Sequence, residues 1–154
     1  NSKETINYFR NKGSSIYACL IDYRKAFDLV DQERMFRNLV TRKICLLFIR
    51  LMIVTYLFQR CYVNWNETRS YSFPATNGTR QGAIFSPSGG FNTYLDPLLM
   101  SLRKSGLDCS IGKHYFGAQA YADDCILLAL SIDSLQKMVQ ICEDHARENS
   151  LEFS

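Results

Sequence analysis

Apolar segments that carry aspartate at their ends constrain this chain more than anything else in it. "SIYACLIDY" (15–23) is rich in β-formers and reads as a buried strand reaching Asp22. "YFGAQAYADDCILLAL" (115–130) reads as two apolar strands around a turn that holds Asp123 and Asp124. Adjacent carboxylates between apolar runs repel each other and lose hydration. If the two segments lie side by side in one sheet, Asp22 and the Asp123–Asp124 turn converge at one end. Three carboxylates cannot all stay ionised in so small a volume unless a cation compensates. Oxygen ligands with no His or Cys partner nearby point to a hard cation, Mg²⁺ or Mn²⁺. Two such ions about 3.5–4 Å apart stabilise the attacking and leaving oxygens of phosphoryl transfer. The competing reading of "DD" is a plain hairpin turn, because Asp is common there.

The remainder of the chain supports a folded α+β protein. Its 154 residues fit one domain, and 47% hydrophobic with 21% charged residues argues against disorder. Net charge is only +3, yet residues 1–80 hold 13 Lys/Arg against 6 Asp/Glu, so a basic half could face a polyanion. From charge alone, ordinary solvated surface is the favoured account of that balance. Six scattered cysteines lack a CxxC pair. Cys19, Cys45 and Cys125 sit in apolar runs and read as buried, reduced thiols. "ICLLFIRLMIVTYLF" (44–58) is short for a membrane span and carries Arg50 at its middle, so it reads as a core helix, with no membrane partner. Helices are expected over 31–43 with Asp31 as N-cap, over 44–59, over 91–106 stopping at Gly106, and over 131–150 with Ser131 as cap. The apolar face of the last is Ile132, Leu135, Met138, Val139 and Cys142. Short strands at 61–65 and 69–74 form a hairpin, 78–90 is loop-like, and "LEFS" begins another strand. The expected architecture is an antiparallel sheet with helices packed on one face.

Three segments then carry a resemblance. "IDYRKAFDLVD" (21–31), "GTRQGAIFSP...FNTYLD" (78–96) and "YADD" (121–124) followed by "ILLA" resemble motifs A, B and C of a reverse transcriptase palm, in the family's order. The nearest likeness is to non-LTR (LINE-type) retrotransposons, and it extends through "GLDCSIGKHYFGA" and "LQKMVQICEDHA". The resemblance implies a polymerase right-hand palm over residues 1–154, a single partial domain with fingers and thumb largely missing. It implies that Asp22 and Asp123 hold two Mg²⁺ (or Mn²⁺) ions, with Asp124 the third acidic member. Phe27 would be the steric gate against a ribose 2′-OH. Arg80, Gln81 and Gly82 would line the nucleotide and template side, Ser86 and Pro87 would turn the chain into the following helix, and Tyr121 would sit under the primer terminus. The implied partners are an RNA template, a DNA primer, deoxynucleotides, and the fingers and thumb segments of a longer polyprotein. Nuclear action is implied, with assembly on RNA in the cytoplasm.

The chain departs from the family at Ser88, Gly89 and Gly90, where apolar residues usually lead into "FN". Each Gly weakens a helix start by up to ~1 kcal/mol relative to Ala. Two other classes therefore stand beside the polymerase: a truncated or decayed palm that binds nucleic acid or protein without catalysis, and a small metal-dependent nuclease. The nuclease requires neither the Gln81–Gly82 loop nor an aromatic gate.

Overall fold

The computed structural model describes residues 2–79, 92–107 and 109–154. In chain order the elements begin with α1 (Ser2–Asn11), β1 (Tyr17–Arg24), α2 (Gln32–Thr41), α3 (Leu46–Leu57) and β2 (Arg60–Cys61). Next come β3 (Asn64–Trp65), β4 (Thr68–Arg69), β5 (Phe73–Pro74) and α4 (Asn92–Lys104). The last are β6 (Ser110–Ile111), β7 (His114–Tyr115), β8 (Ala118–Tyr121), β9 (Asp124–Ala129), α5 (Ile132–Glu148) and β10 (Glu152–Phe153). The chain divides into two compact units, Asn1–Ala26 with Tyr94–Ser154, and Phe27–Thr93.

In the first unit, four strands lie in the order β10–β1–β9–β8, each neighbouring pair antiparallel. Side chains alternate across such a sheet. On one face Ile21, Tyr23, Cys125 and Leu127 are buried, and α5 covers them with Met138, Cys142 and Ala146. Burying each of these larger apolar side chains contributes about 1.5–3 kcal/mol. Ser131 caps α5 as expected, its Oγ accepting from Ser134 N at 3.1 Å. Ile132, expected on the apolar face, is exposed, and the buried residues of α5 begin only at Met138.

The opposite face is partly covered too, which corrects the expectation of helices on one face alone. There Phe9 of α1 packs with Cys109 and Leu128, joined by Ile6, Ile16, Ile111 and Ile126. The helix α1 was not legible in the sequence, since Ile6 and Phe9 are isolated apolar residues in an otherwise polar stretch. The β6–β7 hairpin was also unforeseen. Its turn places Gly112 at φ 62, where glycine carries no steric penalty.

The second unit contains α2, α3 and a two-stage hairpin. Asp31 caps α2, its Oδ1 accepting from Arg34 N at 3.1 Å. Phe36 of α2 meets Tyr56 of α3 edge to face, with ring centroids 5.6 Å apart. The core-helix reading of α3 is corrected. Ile49 and Tyr56 are buried, whereas Leu46, Leu47, Leu51, Val54 and Leu57 are exposed. A helix apolar on nearly every side can turn only one stripe toward α2, which leaves those five side chains at the surface. No helix among those residues is long and apolar enough to cross a membrane.

Two backbone features fix local geometry. Pro97 lies inside α4 and has no N–H to give the Thr93 carbonyl four residues back; Asn38 Nδ2 donates to that carbonyl instead, at 3.3 Å. The 78–79 segment is latched to the turn that follows β1. Gly78 N donates to Val30 O at 2.8 Å and Thr79 N to Phe27 O at 2.7 Å. Gly78 has φ +82, and a Cβ there would stand 2.9 Å from Phe27 O. Gly106 has a similar φ of +67 but open space around it. Gly78→Ala should therefore lose roughly 2–3 kcal/mol of stability, left-handed strain plus a backbone clash, against about 1 kcal/mol for Gly106→Ala. Urea denaturation of both variants checks this; equal losses would remove the clash from the account.

Candidate active site

The register between β1 and β9 decides where the carboxylates lie. Tyr17 pairs with Ala129, and the ladder runs without interruption to Asp22 opposite Asp124. Residues directly opposite in an antiparallel pair share a face, with Cβ atoms about 4.5–5.5 Å apart, and like charges so placed repel. The hairpin register sets Tyr121 opposite Asp124. Asp124 is thus the first residue of β9 and not part of the turn, a correction of one position to the sequence reading. The turn itself is Ala122–Asp123, a two-residue loop. Ala122 has φ +54, a conformation that L-residues avoid at about 1–3 kcal/mol. Backbone strain is therefore held beside the acidic pair.

One row of side chains crosses the sheet: Tyr121, Asp124, Asp22 and, just past the end of β10, Ser154. Ser154 N donates to the Asp22 carbonyl at 3.0 Å, and its Oγ donates to Asp22 Oδ2 at 2.8 Å. That hydroxyl fixes one oxygen of the carboxylate. The row opens onto a groove of about 410 Å³ whose walls include Leu20, Gln119, Ile126 and Ser2. Leu20 is 81% exposed and Tyr121 is 86% exposed, so an apolar and aromatic surface faces outward right beside two carboxylates. At the edge of the groove Ser2 Oγ donates to Gln119 Oε1 at 2.9 Å. Sequence reasoning missed Ser154 and Leu20. The period-2 alternation of β1 does place Leu20 on the same face as Asp22, a signal that was available.

The donor chemistry fits a hard divalent cation: two opposed carboxylates and a third one residue away at the hairpin apex. Among the described residues, no three Asp, Glu, His or Cys side chains are drawn together into a metal-holding group. Asp22 and Asp124 are brought face to face, and Asp123 stands in the adjoining turn. Phe27 belongs to the second unit, where it is half-buried and its carbonyl accepts from Thr79 N. Arg80, Gln81, Gly82, Ser86 and Pro87 lie outside the described residues, as do Ser88, Gly89 and Gly90.

A larger groove, about 600 Å³, lies within the second unit against Phe36, Val40, Ile49, Ile53 and Tyr56. Its acidic residues are already engaged, Asp31 in capping α2 and Glu33 in a pair with Arg37. The smaller groove is therefore the better site for chemistry.

The sequence profile of the family described as "Reverse transcriptase (RNA-dependent DNA polymerase)" matches residues 1–154. The chain is similar to the "Retrovirus-related Pol polyprotein from type-1 retrotransposable element R2" of Nasonia vitripennis, 28% identical over 144 residues. That match covers 94% of this chain and 14% of the relative. It is also similar to the "Transposon TX1 uncharacterized 149 kDa protein" of Xenopus laevis, 29% identical over 152 residues, covering 96% of this chain and 11% of the relative. The chain therefore spans a small part of each of these proteins.

Behind the carboxylates, on the face that α5 covers, lie two buried thiols. Burial pushes Cys125 up to about 11 and Cys142 up to about 12, helped in each case by neighbouring thiols. Burial likewise raises the Tyr23 hydroxyl. Cys45 was expected to be buried; it is exposed at the start of α3, where the backbone N–H groups of Phe48 and Leu47 hold its thiol below the ordinary value. All six cysteines are free, as expected of reduced thiols. Iodoacetamide at neutral pH should alkylate Cys45 first and spare Cys125 and Cys142 until the protein unfolds; peptide mapping decides. The buried pair also sets an alkaline limit. Above about pH 9 the unfolded chain releases thiol protons that the folded chain keeps, so stability present below pH 9 should fall progressively toward pH 12. Replacing both cysteines by Ala should flatten that fall in denaturation midpoints taken across the range.

Proposed function

The chain belongs to the reverse transcriptase family, and on that premise we propose that it is the palm of an RNA-directed DNA polymerase from a non-LTR retrotransposon. The reaction is transfer of a nucleotide from a deoxynucleoside triphosphate to the 3′-OH of a DNA primer annealed to RNA. The observation that carries this reading is the placement of Asp22 opposite Asp124 at the mouth of an exposed groove. A sheet gains nothing from two opposed like charges. A site that must neutralise a triphosphate through bound cations requires them.

Asp22, Asp123 and Asp124 would hold two Mg²⁺ or Mn²⁺ ions, and these supply charge neutralisation at the phosphoryl group. The chain's own groups position. Ser154 restrains Asp22 Oδ2. Tyr121, beside Asp124 and largely exposed, offers a ring on which the primer terminus rests. Phe27 is the gate that rejects a ribose 2′-OH by bulk. The family resemblance assigns Arg80, Gln81 and Gly82 to the nucleotide and template side, and Ser86 and Pro87 to the approach to the following helix. Fingers and thumb segments of a longer polyprotein complete the hand, in keeping with the small share of its relatives that this chain covers.

A second reading has one observation in its favour. The three carboxylates do not form a closed ligand group among the described residues. A palm that binds its substrates and does not turn them over is consistent with that.

Primer extension on poly(rA)–oligo(dT) with Mg²⁺ or Mn²⁺ separates the readings. Asp123→Ala should lower extension by about 10²-fold or more while the circular dichroism spectrum is unchanged. Extension by the variant at the parent's level would remove the metal assignment. Absence of extension from the parent, folded and supplied with its flanking segments, would favour the non-catalytic palm. In the same assay Phe27→Ala should admit ribonucleotides; an unchanged preference for deoxynucleotides would exclude the gate.

A further inference from the structure

The hairpin of the second unit has a chemistry that the carboxylate groove does not use. β2 pairs with β5 and β3 with β4, and the tip is closed by Asn66 and Glu67 at φ 42 and 64. Both φ values are positive, which is the turn that matches strand twist. Between the pairs Cys61↔Phe73 and Asn64↔Arg69, one side has two residues and the other has three, Ser70 to Ser72. The extra residue makes a bulge and throws Tyr71 outward, 98% exposed. Trp65, at the tip, is 75% exposed. On the other face Arg69 lies over an aromatic ring, its Cζ 3.1 Å from the Tyr62 centroid. Arg60 is held as well, donating from Nε to Ser72 Oγ at 3.0 Å and from a terminal nitrogen to Ser72 O at 2.8 Å.

We infer that this hairpin is a contact for single-stranded nucleic acid, with Trp65 and Tyr71 stacking on bases and Arg69 and Arg60 meeting phosphates. The charge balance selects that occupant. The hairpin carries two arginines against Glu67, and residues 27–93 hold eight Lys/Arg against four Asp/Glu. A slender hairpin with exposed rings on one face and pre-positioned guanidinium groups on the other suits a flexible polyanion that can wrap it and whose bases are unstacked. A duplex hides the faces of its bases and cannot use them. The inference shares with the proposed function a nucleic-acid partner and does not depend on catalysis.

Trp65 is the chain's single tryptophan, so its emission reports on the tip alone. The whole chain, in EDTA and without nucleotides, is titrated with oligo(dT), oligo(rU) and a blunt duplex of equal length. Emission should be quenched by the single strands and not by the duplex. A stronger response to oligo(rU) than to oligo(dT) identifies RNA as the ligand, and the reverse identifies DNA. By anisotropy of labelled oligonucleotide, Trp65→Ala should weaken binding about tenfold, and Trp65→Phe should restore most of it. Arg69→Ala should reduce the slope of log affinity against log salt by about 0.7. No quenching by either single strand, equal binding of duplex, or unchanged affinity in Trp65→Ala would overturn the inference. Because no metal is present, loss of extension with binding retained would count against the catalytic reading alone. Extension retained with Trp65 silent would count against the hairpin alone.

Discussion

The repulsion between Asp22 and Asp124 is the constraint on which the rest of the first unit depends. Two carboxylates directly opposite across β1 and β9 destabilise the pair of strands that bears them. The compensation lies further along the same strands. Ile21, Leu127 and Leu128 are buried, one face closed by α5 and the far end of the other by Phe9. The ladder cannot slip to separate the charges. A shift of one residue would turn Leu127 and Ile21 to the open face, and a tight two-residue turn at Ala122–Asp123 fixes the hairpin as well. Apolar burial along the strands thus holds in place an electrostatic liability at their end.

The same arrangement explains how an acidic site can be exposed without being loose. Asp22 sits on the open face, but its main chain belongs to a central strand, hydrogen-bonded on both sides. Its side chain is tied by Ser154. Tyr121 lies on β8, in register with Asp124. Rigid backbone and accessible carboxylate are thereby combined, which is what the binding of a large substrate across a groove demands.

What was legible in the sequence was local or strictly periodic. Asp31 and Ser131 were recognisable as caps because their chemistry acts over three residues. The strands at Asp22 and after Tyr121 were recognisable from alternation and β-forming residues, while their pairing was a condition that only the register fulfils. What failed depended on tertiary context. Asp124 was placed in the turn because adjacency suggested a shared loop, whereas register put it in the strand. Cys45 and most of α3 look buried by composition, yet burial depends on what packs against them, and composition carries no record of that. The helix α1 has too few apolar residues to announce itself and is held by Phe9 against a core assembled from elsewhere. The segment from Arg80 to Pro87, which carries the remaining motif, lies outside the described residues.

The hydrogen bond from Ser154 to Asp22 spans 132 positions of sequence. Asp124 is likewise about a hundred residues from the aspartate it opposes. A ribosome adding roughly 5–20 residues per second needs on the order of ten seconds between the first and last of these groups. During that interval β1 emerges with both edges unpaired. Its acidic terminus then lacks the neighbour that would give a cation two carboxylates to bind. Contacts of such long range are slow to form and reward the chain late. The acidic centre therefore assembles only once the chain from Asp22 through Ser154 has emerged: until then the nascent strand has no opposed carboxylate and no hydroxyl to tie its own.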